Sequence, residues 1–170
     1  FVVHALAYSD KEELKGKYVE TSRQNFLSTL DISTYSFTRI SKSASKIMTN
    51  GGSLLTLTYV GSNKTTPNYN VMGVAKAALE TSVKYLSVDL GKNKIRVNAI
   101  SAGPMKTIAG AAISGARHVY RYSEKVAPLQ KNPDLEQVGN AALYLLSDIS
   151  SGVTGLTHYV DGGLKVVGIP

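Results

Sequence analysis

The residue pair best suited to take part in a reaction is a tyrosine followed seven residues later by a lysine, Tyr69 and Lys76. Seven helical steps of about 100° bring the second side chain back to within about 20° of the first, so both project from one face of a helix. A phenol has a pKa of about 10, and a nearby ammonium favours the phenolate or strengthens the phenol as a donor. Such a pair can hold an oxyanion or supply a proton.

A second tyrosine, Tyr59, stands ten residues before Tyr69 at the end of a β-rich segment. The intervening loop can fold Tyr59 back over the start of the helix. Two ordinary interpretations remain open beside catalysis. The chain has ten tyrosines, so a tyrosine and a lysine fall at helical spacing by chance, and a tyrosine at a strand end is often a packed edge residue.

The elements that must position these side chains follow from the apolar pattern. Short β-rich runs predict four strands, and three-to-four spacing of apolar residues predicts three helices, the first with Asp31 as its N-cap. The strands are predicted at residues 1–6, 53–59, 95–100 and 157–160, and the helices at 31–48, 69–90 and 135–146. Residues 9–23 are polar, and residues 105–132 give no clear pattern.

This alternation of strands and helices is typical of right-handed crossover units, and it predicts a doubly wound, mostly parallel α/β sheet with helices on both faces. Ligands bind such sheets at the carboxyl ends of the strands. The residues that follow positions 6, 59 and 100 are therefore where a site is expected. The 170 residues suit a single domain.

Composition narrows the classes of function. The chain has 43% hydrophobic and 18% charged residues, no apolar run long enough to span a membrane, and no cysteine, which removes disulfides, thiolate metal sites and a cysteine nucleophile. Its net charge of +7 is dispersed and accompanies no nucleic-acid-binding motif, so neither nucleic acid nor membrane is an expected partner. A cytoplasmic location is the expectation.

Other site chemistries find little support in the sequence. The three histidines, His4, His118 and His158, lack metal-ligand spacing, so no metal site is expected, and His4 within an apolar strand is interpreted as a buried structural histidine. Neither G-x-S-x-G nor a P-loop motif is present, which argues against a nucleophile-elbow hydrolase and a P-loop phosphotransferase.

Three segments together resemble a known family. They are LTYVG at 57–61, PNYNVMGVAKAALE at 67–80 and IRVNAISAGP at 95–104. With DISTYSF at 31–37 and YVDGG at 159–163, they closely resemble the bacterial enoyl-acyl carrier protein reductases over nearly the whole chain. These form a branch of the short-chain dehydrogenase/reductase group. Most of that group has three residues between tyrosine and lysine, whereas six separate Tyr69 from Lys76, as in the enoyl reductase branch.

The resemblance implies a Rossmann-like fold and a defined reaction. The family uses NADH to reduce the trans-2 double bond of an enoyl thioester carried by acyl carrier protein, in type II fatty-acid biosynthesis. It also implies a homotetramer. Acyl carrier proteins are acidic, so a net charge of +7 suits electrostatic steering toward them.

The resemblance also implies roles for individual residues. Tyr69 is similar to the tyrosine that hydrogen-bonds the substrate oxygen, Lys76 to the lysine that holds the nicotinamide ribose, and Tyr59 to a second tyrosine that either donates a proton or positions the substrate. The expected NAD contacts are Leu6, Lys76, Met105, Lys106, Thr107, Ile108 and Ala109, and Ser9 corresponds to a substrate contact. Without the resemblance, Thr107 is equally well interpreted as a helix N-cap.

The chain departs from the family pattern at its start. It contains no G-x-G-x-x-G turn for the pyrophosphate, and the family has further residues before the match to Phe1. Residues 1–170 are therefore expected to be the C-terminal two-thirds of one NAD-binding domain, without its N-terminal strands. Two alternatives stay open: a short-chain reductase that acts on a carbonyl, and an inactive partial chain that retains only an assembly surface.

Overall fold

The computed structural model of the chain describes residues 1–107, 110 and 114–168. Within these residues, four parallel strands form one sheet in the order β1-β2-β3-β4. The strands are β1 (Val2–His4), β2 (Gly52–Thr58), β3 (Ile95–Ala102) and β4 (Thr157–Val160). The helices are α1 (Arg23–Leu30), α2 (Ser36–Ser45), α3 (Asn70–Gly91), α4 (Ala116–Val126) and α5 (Leu135–Leu146).

Helices cover both faces of the sheet, as the sequence predicts for a doubly wound fold. Alternation along β2 sends Leu54 to one face and Leu55 to the other. Leu54 packs with Phe37 of α2 and Leu79 of α3, whereas Leu55 packs with Leu145 of α5. The two layers bury both faces of β2 and β3, and the Rossmann-like α/β prediction is confirmed.

The first long helical region differs from its prediction. Its N-cap is Ser22, whose hydroxyl accepts the backbone N–H of Asn25, and α1 begins at Arg23. Asp31 has helical backbone angles inside this region, so its prediction as an N-cap is wrong. Five residues with π-helical hydrogen bonding, Asp31–Tyr35, join α1 to α2. Because α1 consists largely of polar residues, the spacing of apolar residues does not predict it.

Other boundaries shift for reasons of pairing. The first strand ends at His4 rather than at residue 6, because only Val2 to His4 pair with β2. The third strand runs two residues beyond its prediction, to Ala102, because β4 pairs with it there. α3 lies within one residue of its prediction, and α5 and β4 have the predicted bounds. α4 lies in the stretch without a predicted element.

Candidate active site

The two tyrosines singled out by spacing meet where β2 ends and α3 begins. Their ring centroids are 5.2 Å apart, and the ring planes are inclined at 65°, an edge-to-face contact. Tyr69 is only 6% exposed and packs in an apolar cluster with Leu14, Val71 and Met72. Tyr59 is half-buried against the same cluster. The predicted fold-back of Tyr59 over the start of the helix is therefore present.

Two glycines make this close arrangement sterically possible. A Cβ on Gly61 would lie 2.5 Å from Cδ1 of Tyr69, and a Cβ on Gly73 would lie 2.8 Å from the carbonyl oxygen of Gly61. Real Cβ atoms essentially never approach so closely. The turn after β2 can therefore rest on the first turns of α3 only because both positions lack a side chain.

Burial governs the protonation of both phenols. It raises the pKa of Tyr69, and the neighbouring Tyr59 adds to the effect. Burial also raises the pKa of Tyr59, although a hydrogen bond with Thr66 acts in the opposite direction. Of the two chemistries that the sequence leaves open for the pair, the structure thus favours a neutral phenol that donates a hydrogen bond over a phenolate.

Lys76 is directed to the carboxyl end of β2. Its side chain is 7% exposed, and Nζ donates a hydrogen bond to the carbonyl oxygen of Leu57 at 2.8 Å. Burial lowers the pKa of Lys76 to about 8, and the negative charge of Glu80 acts in the opposite direction. Among the described residues no hydrogen bond joins Lys76 to Tyr69. The two groups share one edge of the sheet and reach it through different contacts.

The donor set of Lys76 fits a sugar ligand. An ammonium has three N–H donors, and within the described part of the chain only one of them has a protein acceptor, the oxygen of Leu57. Hydroxyls of a ribose are acceptors of the kind that the other two donors require. The chemistry of this buried ammonium is therefore compatible with the dinucleotide that the family resemblance implies.

His4 is a buried structural histidine, as its apolar strand predicts. Its Nε2 lies 2.8 Å from the hydroxyl of Ser36, and its Nδ1 lies 3.4 Å from the hydroxyl of Thr56. Burial lowers the pKa of His4, and the ammonium of Lys76 lowers it further. Across residues 1–107, 110 and 114–168, no group of three histidine, aspartate or glutamate side chains is arranged to hold a metal.

The residues after β3 have contacts within the protein. Met105 packs in the apolar cluster between β3 and α5, and Nζ of Lys106 lies 5.1 Å from the ring centroid of Tyr120 in α4. The hydroxyl of Thr107 accepts the backbone N–H of Gly110, the contact made by a helix N-cap. Ile108 and Ala109, the other expected NAD contacts here, lie outside the described residues.

Gly103, just after β3, has a packing role. A Cβ at this position would meet Cδ of Pro133 at 2.9 Å and Cα of Asp161 at 3.0 Å. Gly103 therefore allows close packing between β3 and the segments around Pro133 and Asp161.

Two predicted site residues lie near the end of β1. Leu6 is 56% exposed, two residues beyond the strand. Ser9 is half-buried, and its hydroxyl donates to the side-chain oxygen of Asn25 at 3.3 Å and accepts from Thr29 at 2.9 Å. Leu6 is thus open to a ligand, whereas the hydroxyl of Ser9 is held by α1.

Two surface cavities do not include Tyr59 or Tyr69. One, of about 280 Å³, is bounded by residues around β4, including Tyr159 and Asp161, and another, of about 510 Å³, runs along α2. Tyr59, Tyr69 and Lys76 line neither of them. Of these three side chains only Tyr59 is more than slightly exposed, so it is the one that solvent reaches.

One polar residue at this edge received no role from the sequence. Glu80 lies one helical turn after Lys76, and its carboxylate accepts hydrogen bonds from the hydroxyls of Thr58 and Ser62. A carboxylate four residues after a functional lysine faces the same side of a helix, and that spacing is a signal by which it could have been found.

The chain is similar to a known protein family and to known proteins. The model of the family described as "Enoyl-(Acyl carrier protein) reductase" matches residues 1–165. Enoyl-(acyl-carrier-protein) reductase (NADH) 1 of Rhizobium meliloti (strain 1021) is 60% identical over 169 residues, which are 99% of this chain and 62% of that protein. The FabI reductase (NADH) of Rickettsia typhi is 55% identical over 168 residues, covering 99% of this chain and 64% of that protein.

A solved structure gives the same result. The crystal structure of the enoyl-(acyl-carrier-protein) reductase of Anaplasma phagocytophilum in complex with NAD superposes with a TM-score of 0.95 at 59% identity. The match covers 98% of this chain and 64% of that one. The chain thus spans less than two-thirds of the length of the relatives it matches. With a family match over nearly all of its residues and this agreement in fold, the chain belongs to the enoyl-(acyl carrier protein) reductase family.

Proposed function

We propose that this chain takes part in the NADH-dependent reduction of the trans-2 double bond of enoyl thioesters carried by acyl carrier protein, in the cytoplasm. The observation that carries the proposal is the presence of the edge-to-face pair of Tyr59 and Tyr69 and of the buried ammonium of Lys76 at the same carboxyl edge of the sheet. The NADH-named reductases at 60% and 55% identity, and the neighbour crystallised with NAD, support the choice of cofactor.

In this proposal Tyr69 stabilises the developing negative charge on the substrate. The cofactor, when bound, supplies a hydride to the β-carbon of the enoyl group. Negative charge then accumulates on the thioester oxygen, and the phenol of Tyr69 donates a hydrogen bond to it. Burial raises the pKa of this phenol, which keeps its proton available for donation.

Lys76 and Tyr59 complete the proposed site. Two N–H donors of Lys76 hold the hydroxyls of the nicotinamide ribose, while the third stays on the oxygen of Leu57. Tyr59 is the more exposed phenol, and it either supplies the proton or positions the acyl group. Burial also excludes water around Lys76, which strengthens its interaction with developing negative charge nearby.

The remaining expected contacts belong to the same proposal. We propose that Leu6 and residues 105–109 contact the cofactor, and that Ser9 contacts the substrate. The exposure of Leu6 supports its role, and Lys106 is the exposed cation after β3. The internal hydrogen bonds of Ser9 and Thr107 imply that these hydroxyls act while held in place by the protein.

A direct test compares two thioesters. The chain is supplied with NADH and either crotonyl thioester or acetoacetyl thioester, and loss of the reduced nicotinamide absorbance is followed. We expect NADH consumption with the crotonyl substrate and little with the acetoacetyl one. The reverse preference would indicate a carbonyl reductase, and no consumption with either substrate would indicate a partial chain without activity.

We also propose that acyl carrier protein docks on α4. Arg117, Arg121 and Lys125 are exposed and four residues apart, so they form one cationic stripe along the helix. Lys106 contacts Tyr120 of this helix, and Asn68, next to Tyr69, donates to the backbone oxygen of Ser114 just before it. The stripe therefore lies on a helix that is linked to the segment after β3 through Lys106, and to the segment before α3 through Asn68.

The family resemblance further suggests a homotetramer. Large apolar side chains on and after the helices that flank the sheet are exposed, with Ile47 at 81%, Tyr85 at 72% and Val88 at 79%. Contact between copies would remove this apolar area from water. Sedimentation velocity would show a tetramer if the proposal is right and a monomer if it is wrong.

No helix in the described part of the chain is long and apolar enough to cross a membrane.

A further inference from the structure

We propose that Glu80 is a positioning residue for this site: its carboxylate ties the turn after β2, which carries Tyr59, to the helix that carries Lys76. The inference rests on the proposed function for its catalytic meaning. The tie itself is a property of the protein alone.

Glu80 contacts residues that lie before and after Tyr59 in the sequence. One carboxylate oxygen accepts the hydroxyl of Thr58 at 2.8 Å and also the hydroxyl of Ser62, and the other accepts the side-chain amide of Asn63 at 3.3 Å. Thr58 immediately precedes Tyr59, and Ser62 and Asn63 follow it within four residues. Three donors, one from the end of β2 and two from the turn after it, thus converge on a single half-buried side chain of α3.

This convergence fixes the turn relative to the lysine. Glu80 lies one helical turn after Lys76, so both side chains project from the same face of α3. Lys76 binds the end of β2 at Leu57, and Glu80 binds Thr58 and the turn that follows it. The helix therefore anchors the backbone around Tyr59 at two points, and hydrogen bonds to a charged group are the stronger kind.

The charge of Glu80 acts on Lys76 over a longer distance. Within the described residues no ion pair within 4 Å joins them, because the carboxylate is occupied by the turn. Its negative charge nevertheless raises the pKa of Lys76 against the lowering effect of burial. Another titratable group that interacts with Lys76 is His4 on β1, whose own pKa is lowered, so it is neutral near pH 7 and adds no positive charge that would disfavour the ammonium.

Glu80→Ala, Glu80→Gln and Thr58→Val separate the tie from the charge. Alanine removes both. Glutamine keeps an oxygen for the hydroxyls of Thr58 and Ser62 but loses the charge and the contact with Asn63. Thr58→Val removes one hydrogen bond and keeps the charge. Asp89→Asn, at an exposed carboxylate of the same helix, is the matched control.

The first readout is amide hydrogen exchange of Ser62, Asn63 and Lys64, whose N–H groups bond to the oxygens of Tyr59 and Val60. In Glu80→Ala we expect these amides to exchange about tenfold faster, since the loss of hydrogen bonds to a charged group frees the turn. Thr58→Val should show a smaller increase, and Asp89→Asn should match the wild type. Unchanged exchange in Glu80→Ala would overturn the proposal.

The second readout is the pH dependence of NADH affinity, measured by fluorescence titration of the full chain. The wild type should bind less tightly as Lys76 loses its proton near pH 8. In Glu80→Gln this decline should begin at lower pH, whereas Thr58→Val and Asp89→Asn should leave it in place. A decline at the same pH in Glu80→Gln would contradict the role of the charge.

The two proposals can fail separately. If the wild type consumes no NADH with an enoyl thioester, the proposed function fails, while hydrogen exchange, which needs no substrate, still decides whether Glu80 holds the turn. If the wild type is active and exchange is the same in all variants, the proposed function stands and the role of Glu80 is wrong.

Discussion

At Tyr69 and Lys76, burial acts in opposite directions on two pKa values. It raises the pKa of the phenol and lowers the pKa of the ammonium, because it penalises the charged form of each. Near neutral pH the phenol stays protonated and the lysine remains mostly charged. The pair then offers hydrogen-bond donors to a substrate oxygen and to sugar hydroxyls, which is what the proposed reduction requires.

Removal of the phenolic hydroxyl tests this donor directly. In Tyr69→Phe we expect turnover with crotonyl thioester to fall about a hundredfold, the usual effect of losing one donor to a developing oxyanion. The ring and its packing with Tyr59 are retained, so the unfolding transition should change little.

The control for this variant is Tyr18→Phe, at an exposed tyrosine outside the site. It should retain wild-type turnover. If Tyr69→Phe and Tyr18→Phe had equal rates, Tyr69 would have no part in the chemistry.

Lys76 makes stability depend on pH. Its pKa is about 8 in the folded chain against an ordinary value of 10.5, so the buried ammonium reduces stability at any pH below about 8. Between these two values the unfolded chain binds a proton that the folded chain has lost, and wild-type stability rises with pH. In Lys76→Met this cost is absent.

We therefore expect Lys76→Met to be more stable than the wild type near pH 7 in urea unfolding, with the difference shrinking above about pH 8. The variant should at the same time bind NADH weakly, because both free donors are lost. A stability difference that stays constant from pH 7 to pH 10 would show that the lysine pKa is not lowered.

The sequence predicts where the principal residues of the candidate site lie but not how they are held. The Tyr69–Lys76 spacing and the strand-end position of Tyr59 suffice to place all three at one sheet edge. The acceptor at Leu57 and the convergence of Thr58, Ser62 and Asn63 on Glu80 depend on how the turn lies across α3. That packing is tertiary, and residue spacing does not encode it.

At the scale of elements, the turn after β2 and the helix α3 act as one unit. The missing side chains of Gly61 and Gly73 let them touch, and Glu80 ties them together. The site is therefore built largely on one strand, one turn and one helix. Such a local construction keeps the two tyrosines in register with each other.

Two glycine-to-alanine variants in helices distinguish close packing from helix propensity. In Gly73→Ala the new Cβ would lie 2.8 Å from the oxygen of Gly61, so we expect a loss of about 1–3 kcal/mol in unfolding free energy and reduced turnover. Gly139 lies in α5 with nothing within 4 Å of a Cβ, and Gly139→Ala should gain about 0.5–1 kcal/mol.

Urea unfolding of both variants checks this prediction. If both alanines stabilised the chain to the same extent, α3 would have room at Gly73, and the close contact between turn and helix would be wrong.

Sequence patterns predict elements well where capping and burial agree. α5 has the predicted bounds, and its capping box joins Asp134 to Gln137. The apolar pattern does not predict α1 because its buried face is partly polar, with Asn25 and Thr29 in a hydrogen-bond network rather than in an apolar stripe. α4 was missed because its residues are mostly polar and exposed.

At the scale of the whole molecule, the distribution of surface charge bears on the proposed docking of acyl carrier protein. The net charge of the sequence is +7. Three of its 19 lysines and arginines form the stripe on α4, so positive charge is concentrated along that helix. An acidic carrier protein would be steered to this stripe and would present its thioester beside the residues that follow β3.

Charge reversal along the stripe tests the partner. In Arg117→Glu/Arg121→Glu we expect the KM for crotonyl-acyl carrier protein to rise about tenfold or more, because like charges then face each other. The KM for crotonyl coenzyme A should change much less, since it lacks the acidic protein surface. Lys92→Glu, at an exposed lysine after α3, is the control.

Equal KM changes for the two thioesters would indicate a general effect on the active site. Unchanged KM values for both would exclude α4 as the docking surface.

A deuterium label on the cofactor follows the hydride in the proposed reaction. NADH labelled at its transferable position is incubated with crotonyl thioester and the chain, and the product is analysed by mass spectrometry and NMR. We expect a saturated butyryl thioester with one deuterium on its β-carbon. An unlabelled product, or label on a carbon that bears a hydroxyl, would contradict it.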